Sequence, residues 1–225
     1  MTYRHARLLS SVAYERWWLE LQQSNDRAIL NGEWHFETDA EQQRHHAVLS
    51  AIGRLRGPAA WGDVLEIGCA EGLFTRELVE RSNSVTACDV SPIACERTAV
   101  AVPGARVRRA DISREAMEGT FDVVFLMCVL GTLHGRRTLR RVSANIAHAV
   151  RPGGLLIFNE LRFHDPRVES SWWPRALVEG GLELVKFLNG RDGLRLIHQE
   201  DHRGHVIGIY EKGLPFISPA HVGKS

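Results

Sequence analysis

From Asp63 to Phe158 the chain alternates between short, almost wholly apolar runs and longer stretches with apolar positions three or four apart. "DVLEIG" predicts a buried strand, and "GLFTRELVERS" predicts a helix with Leu73, Phe74, Leu78 and Val79 on one side. "SVTACDV" is a second strand; "SPIACERTAVAV" is a helix opened by Ser91 as N-cap with Pro92 at its first position. "ARVRRADI" is a strand that ends in an acid, and "FDVVFLMCVL" is a continuous apolar run of the kind a central strand needs when both its faces are covered. "HGRRTLRRVSANIAHAV" carries Leu139, Val142, Ile146 and Val150 at helical core spacing; "RPGG" should stop that helix and "LLIFNEL" should be the next strand. Strand and helix in strict alternation predict a doubly wound α/β fold, with a mostly parallel sheet covered on both faces.

The ends of the chain follow other patterns. "LRLIHQED" and "GHVIGIYEK" are strand-like runs around a short glycine-containing break and predict a C-terminal antiparallel hairpin, which brings the sheet to seven strands. "GLELVKFLNG" places Leu182, Val185 and Leu188 three apart and reads as a helix. Residues 1–60 read as a mostly helical cap, 61–213 as the main domain and 214–225 as a tail. Residues 162–180 form a long polar connection with Trp172 and Trp173, the length at which a loop is often a lid or a binding loop.

Composition narrows the classes. A formal net charge of +1 over 225 residues gives none of the basic excess of a dedicated nucleic-acid binder. No stretch has the length of a membrane span and the N-terminus has no apolar signal core, so a membrane is not expected as a partner. Cys69, Cys88, Cys95 and Cys128 form no C-x-x-C pair and sit in or beside apolar segments, as reduced thiols of a cytoplasmic protein do. His202 and His205 flank the hairpin turn without an evident third ligand, so no metal site is expected. Oligomeric state is left open by the sequence.

The chemistry gathers at the strand ends. In an open parallel sheet, ligands bind at the carboxyl ends of strands near the point where strand order reverses. Gly68 and Gly72 lie in the turn after the first strand, where glycine lets the backbone approach a ligand. Their spacing is not the G-x-G-x-x-G of a pyrophosphate binder, and Glu71 stands where a diphosphate would have to sit. Glu66, Asp89 and Asp111 put carboxylates at three successive strand ends, and Asp89 follows Glu66 at about the distance at which an acid grips ribose hydroxyls.

These motifs together, Glu66-x-Gly68-x-x-x-Gly72, Asp89, "ADI" at 110–112, "FDVVFLMCVL" and "RPGGLLIF", resemble the successive motifs of class I S-adenosylmethionine-dependent methyltransferases, with Ala70 in place of the usual middle glycine. "EWHFETDAEQQRHHAVLSAI" followed by "VLEIGCAEGLFTREL" is similar to the nodulation-protein-S type, which N-methylates an amino-sugar intermediate. The likeness runs from about Asn31 to about Lys212 and fades over the long connection. It implies a Rossmann-like methyltransferase fold and S-adenosyl-L-methionine as cofactor. It also implies roles: Glu66, Gly68, Cys69, Ala70 and Gly72 around the methionine moiety; Asp89, with Val90, at the ribose; Asp111 at the adenine amino group, with Ile112 against the ring; Met127 and Cys128 beneath the sulfonium. Trp34, His35 and Arg44 would close over the methionine end, Arg44 pairing with its carboxylate as a bidentate guanidinium can.

An ammonium acceptor has no lone pair and a hydroxyl needs a base as it reacts, so a titratable group should stand where the methyl emerges. His134, just after the fourth strand, is the first candidate, with Glu160 and His164 at and beyond the end of the fifth. Trp172 and Trp173 are candidate platforms for the acceptor. His45 and His46 are less persuasive, since a helix points neighbours about 100° apart. The expected function is methyl transfer to the amino group of a sugar or another small metabolite; the alternatives are O-methylation of a natural-product hydroxyl and cofactor binding without catalysis. Methylation of nucleic acid is disfavoured, because "MCVLGTL" stands where a base-stacking N-P-P-Y or N-P-P-F loop would be.

Overall fold

The structure is a computed structural model, and it describes residues 19, 20, 22, 23, 26–31, 38–57, 59–130, 135–161 and 181–214. Trp34, His35, His134, His164, Trp172, Trp173 and the whole 162–180 connection lie outside the described residues.

The elements in chain order are α1 (Asp39–Arg56), β1 (Asp63–Ile67), α2 (Leu73–Val79), β2 (Ser84–Asp89), α3 (Pro92–Ala101), β3 (Arg106–Arg109), β4 (Phe121–Met127), α4 (Gly135–Ala149), β5 (Val150–Leu161), α5 (Gly181–Leu188), β6 (Leu194–His202) and β7 (His205–Lys212). The seven strands lie in the order β3-β2-β1-β4-β5-β7-β6. Pairs β1–β2, β1–β4, β2–β3 and β4–β5 are parallel, while β7 is antiparallel to both β5 and β6. The seven-stranded doubly wound sheet, the C-terminal hairpin and helix α5 are as the pattern predicts. Strand order reverses between β1 and β4, which makes their carboxyl ends the place for a ligand.

Two-sided burial follows from the period of two in the strands. In β4, Val123, Phe125 and Met127 face a cluster shared with Val48 and Ile52 of α1 and Phe74 and Leu78 of α2. Val124 and Leu126 face the opposite cluster, with Leu139, Val142 and Ile146 of α4 and Leu184 and Leu188 of α5. A strand between two such layers has to be apolar throughout, as this one is.

Ser91 accepts from the Ala94 N–H at 3.1 Å and Pro92 opens α3, as its sequence signature requires. Two boundaries differ from the pattern. Val150 is the first residue of β5, paired with Phe121, and "RPGG" runs inside that strand instead of ending the helix before it. The register shifts between Phe121 and Val123, and a Cβ on Gly154 would stand 2.8 Å from the Arg151 oxygen and 2.9 Å from that of Asp122. The strand therefore continues through an irregular ladder that glycine alone fits. Strand β3 stops at Arg109, so Asp111 sits in the following turn, where Oδ1 accepts from the Ser113 N–H at 2.9 Å. An aspartate that satisfies backbone donors two residues on belongs to a turn.

Candidate functional site

The β1–α2 turn is built on alternate residues in the left-handed region: Gly68 at φ +87°, Ala70 at φ +47° and Gly72 at φ +82°. The first and last tolerate it freely; Ala70 does so under strain. The turn is tied to β2, because Gly68 N–H and Cys69 N–H both donate to the Cys88 carbonyl, at 2.8 and 3.1 Å. Ala70 N–H donates to Asp89 Oδ2 at 3.1 Å, and Ser91 N–H donates to Asp89 Oδ1 at 2.9 Å. Two backbone donors from two loops thus fix one carboxylate at the end of β2.

This carboxylate faces a cavity of about 200 Å³ at the carboxyl ends of β1, β2 and β4. Glu66, Gly68, Cys69 and Ala70 form one wall, with Asp89 and Val90 beside them. Asp111 and Ile112 close one end, Met127 and Cys128 form part of the wall from β4, and Arg44 stands on the wall as well. Cys128, like Ala70, is a non-glycine residue in the left-handed region, at φ +57°, so both strained residues of this part of the chain are on the cavity. Strain of this kind persists only where the surroundings enforce it, and it concentrates at functional sites.

Gly72 is not on the wall. It precedes α2, and a Cβ there would lie 3.1 Å from the Thr98 and Val102 methyl groups, so its role is the close approach of α2 to α3. Glu160 is buried at the end of β5, with Leu161 N–H donating to its Oε1 at 3.3 Å, and it does not line the cavity.

Burial dominates the electrostatics. Glu66 is 1% exposed, accepts from Thr75 Oγ1 at 2.6 Å, and its carboxyl is pushed up to about 8 by desolvation. Burial also holds the Asp89 carboxyl above its usual range, against the bonds from Ser91 and Ala70 that lower it. His45 is brought down to about 4, first by burial and then by the neighbouring Arg44 charge, so its ring is neutral at physiological pH.

The other end of the cavity contains what the sequence left out. His45, set aside because of its neighbour, faces inward: its ring packs against Phe74 at a tilt of 53°, with centroids 4.9 Å apart, and it lines the cavity. Arg44 is buried and already held. Its Nε donates to Glu41 Oε2 at 3.0 Å, Nη2 bonds the same oxygen, and Nη1 donates to Asn159 Oδ1 at 2.9 Å. The guanidinium fork that the sequence assigned to a ligand carboxylate is thus engaged by Glu41. Asn159, fully buried on β5, was missed; a polar residue inside "LLIFNEL" was the signal that could have flagged it. A second, wider space of about 1110 Å³ shares His45 and Leu73 with the first and is lined by polar groups such as Gln42, His46, Arg54 and His202.

The donor set sorts possible ligands. The cavity offers carboxylates to hydroxyls and amines, apolar walls to a ring, and one guanidinium, Arg44, to a carboxylate. Among the described residues lining it, Arg44 is the one permanent cation, which is too little for a chain of phosphates. A nucleoside joined to an amino acid fits this set. Among the described residues no three His, Cys, Asp or Glu side chains group as metal ligands, and no helix is long and apolar enough to cross a membrane.

The family model described as Nodulation protein S (NodS) matches residues 23–196. Nodulation protein S of Rhizobium tropici is 27% identical over 146 residues, which cover 61% of this chain and 58% of that protein, so the match spans less than two thirds of the relative's length. Nodulation protein S of Azorhizobium caulinodans is 29% identical over 156 residues, 68% of this chain and 72% of that one. The crystal structure of N-methyltransferase NodS from Bradyrhizobium japonicum WM9 in complex with S-adenosyl-L-homocysteine superposes with a TM-score of 0.70 at 24% identity, covering 84% of this chain and 97% of that one.

Proposed function

The chain belongs to the nodulation protein S family, and on that premise we propose that it transfers a methyl group from S-adenosyl-L-methionine to an amino group of a small, hydroxyl-rich acceptor such as an amino sugar. The observation that carries the reading is Asp89: a half-buried carboxylate at the carboxyl end of β2, next to the switch point, fixed by two backbone N–H groups, on the wall of a cavity with no phosphate-binding set. Each of its oxygens keeps a lone pair for a ribose hydroxyl. Val90 and Ile112 flank the ring, and Asp111 stands at its amino edge. Glu66, Gly68, Cys69 and Ala70 surround the methionine chain, whose carboxylate belongs at Arg44.

When bound, the cofactor supplies a methyl group already activated on sulfur. The chain's own part is alignment and water exclusion. The walls from Met127, Phe74 and Ile112 keep water from the reacting centre, and the wider polar space beside His45 suits an acceptor rich in hydroxyls. His134 and His164 as proton acceptors, Trp172 and Trp173 as acceptor platforms, Trp34 and His35 over the methionine end, the 1–60 segment as a cap on a 61–213 catalytic domain, and a cytoplasmic location complete the proposal.

The test is incubation with the cofactor and paired panels of amino and hydroxy sugars, with methyl gain read by mass. Methylation of amines and not of their hydroxyl counterparts is expected. Gain on the hydroxyl panel alone would replace the amine reading by O-methylation, and failure to bind S-adenosylhomocysteine would remove the enzyme reading altogether.

A further inference from the structure

We propose that Glu41 is an internal stand-in for the cofactor's carboxylate: it holds Arg44 in the ligand-free protein, yields it on binding, and so sets the affinity for the amino-acid end of the ligand. The inference rests on the cofactor reading above and adds a positioning residue to it.

Three observations carry it. Arg44 lines the cavity and Glu41 does not, although Nε and Nη2 of Arg44 both converge on Glu41 Oε2. A buried guanidinium without an anion is costly, so before a ligand arrives some carboxylate has to occupy this position. The two partners also differ in freedom. The Arg44 side chain is 8% exposed and anchored by Asn159 from β5, whereas the Glu41 side chain is 25% exposed on the first turn of α1. When a second carboxylate enters from the cavity, Glu41 is the partner that can leave, because it has water within reach.

It also has somewhere to go. Thr38-Asp39-Ala40-Glu41 is the pattern of a capping box, in which the first residue caps the helix and the carboxylate of the fourth accepts from the first residue's N–H. Half of that box is present: Thr38 caps α1, with Glu41 N–H donating to its Oγ1 at 3.4 Å. The Glu41 carboxylate is turned to Arg44 instead of completing the box. Exchange therefore replaces one charge-assisted bond of Arg44 by another and returns Glu41 to the helix end, where an anion is favoured.

The experiment compares two ligands in calorimetry: S-adenosylhomocysteine, and methylthioadenosine, which has the same nucleoside thioether without the amino-acid end. Glu41→Gln should bind S-adenosylhomocysteine roughly tenfold more tightly than the wild type, the scale of one hydrogen bond to a charged group, and methylthioadenosine equally. Glu41→Asp, which shortens the reach to Arg44, should change in the same direction by less, and it serves if the glutamine variant folds poorly. Unchanged or weaker S-adenosylhomocysteine binding in both variants, with methylthioadenosine binding intact, would overturn the proposal and leave the cofactor reading standing. An equal rise for both ligands would overturn it too, since the effect would not be at the carboxylate. Binding of neither ligand by the wild type would overturn the cofactor reading and this proposal with it.

Discussion

The two ends of the cavity are held by different means. At the Asp89 end the carboxylate is fixed by backbone N–H groups of Ala70 and Ser91, at 3.1 and 2.9 Å, from turns that adjoin it in the sheet. At the Arg44 end a guanidinium is fixed by side chains: Glu41 three residues away and Asn159, which is 115 residues away. Backbone donors do not change with side-chain substitution and have no rotamers to lose. A relay of side chains can be retuned by single substitutions and can exchange partners. One end is thus built for a constant recognition element and the other for adjustment.

The largest test of this contrast is Asp89→Ala. The change should weaken binding of S-adenosylhomocysteine and methylthioadenosine alike, by about 1–3 kcal/mol. Calorimetry that shows full affinity in the folded variant would place the nucleoside elsewhere.

Asn159→Ala should sharpen the contrast at the other end. It leaves the Arg44 Nη1 donor and the space beside Cys128 without their partner, so thermal or urea unfolding should show a loss of about 1–2 kcal/mol. S-adenosylhomocysteine should bind less tightly while methylthioadenosine binds as before. If both ligands weaken equally, the two ends are not independent.

Glu66 gives a pH-dependent test. Its carboxyl stands at about 8 in the folded protein against an ordinary 4.5, so ionisation is disfavoured by folding. The stability contributed by the neutral form is full below the ordinary value and is lost as pH rises through the raised one. Glu66→Gln has nothing to ionise and escapes that loss. Ligand-free variant and wild type should differ least in melting temperature at about pH 4, and the variant should gain by several °C above about pH 8. A gap that does not change with pH would rule Glu66 out as its source.

Ala70→Gly carries the smallest expected effect. At φ +47° the alanine is strained, and glycine relieves that strain while making the unfolded chain more flexible. A net change between zero and about 1 kcal/mol of stabilisation is expected in denaturant unfolding, with ligand affinity unchanged. A marked destabilisation would mean that the Ala70 methyl is itself a needed contact.

Much of this molecule was legible in the chain. The alternation of apolar runs with helical periods is a local property, and it predicted the parallel sheet, the hairpin and α5 because each strand or helix face advertises its own burial. The Asp89 end was legible for the same reason: Gly68, Ala70, Gly72 and Asp89 lie within one strand-turn-helix-strand unit whose geometry follows from short-range rules. Where those rules compete, the reading slipped. Proline and glycine in "RPGG" predicted a stop, and pairing with β4 carried the strand through them. Gly72 looked like a ligand contact and serves helix packing, a distinction that depends on where α3 lies.

The Arg44 end was decided by tertiary structure alone. Helical spacing puts His45 on the face of buried Val48, Leu49 and Ile52, but its place on the cavity is fixed only when Phe74 of α2 packs against it. Nothing in "LLIFNEL" announces that Asn159 will meet an arginine from the other end of the chain. Periodicity records whether a position is buried, because burial repeats along an element; it carries no record of which distant polar group shares that burial. The partner of a buried charge is set by how whole elements dock, and that is where this protein holds the adjustable part of its site.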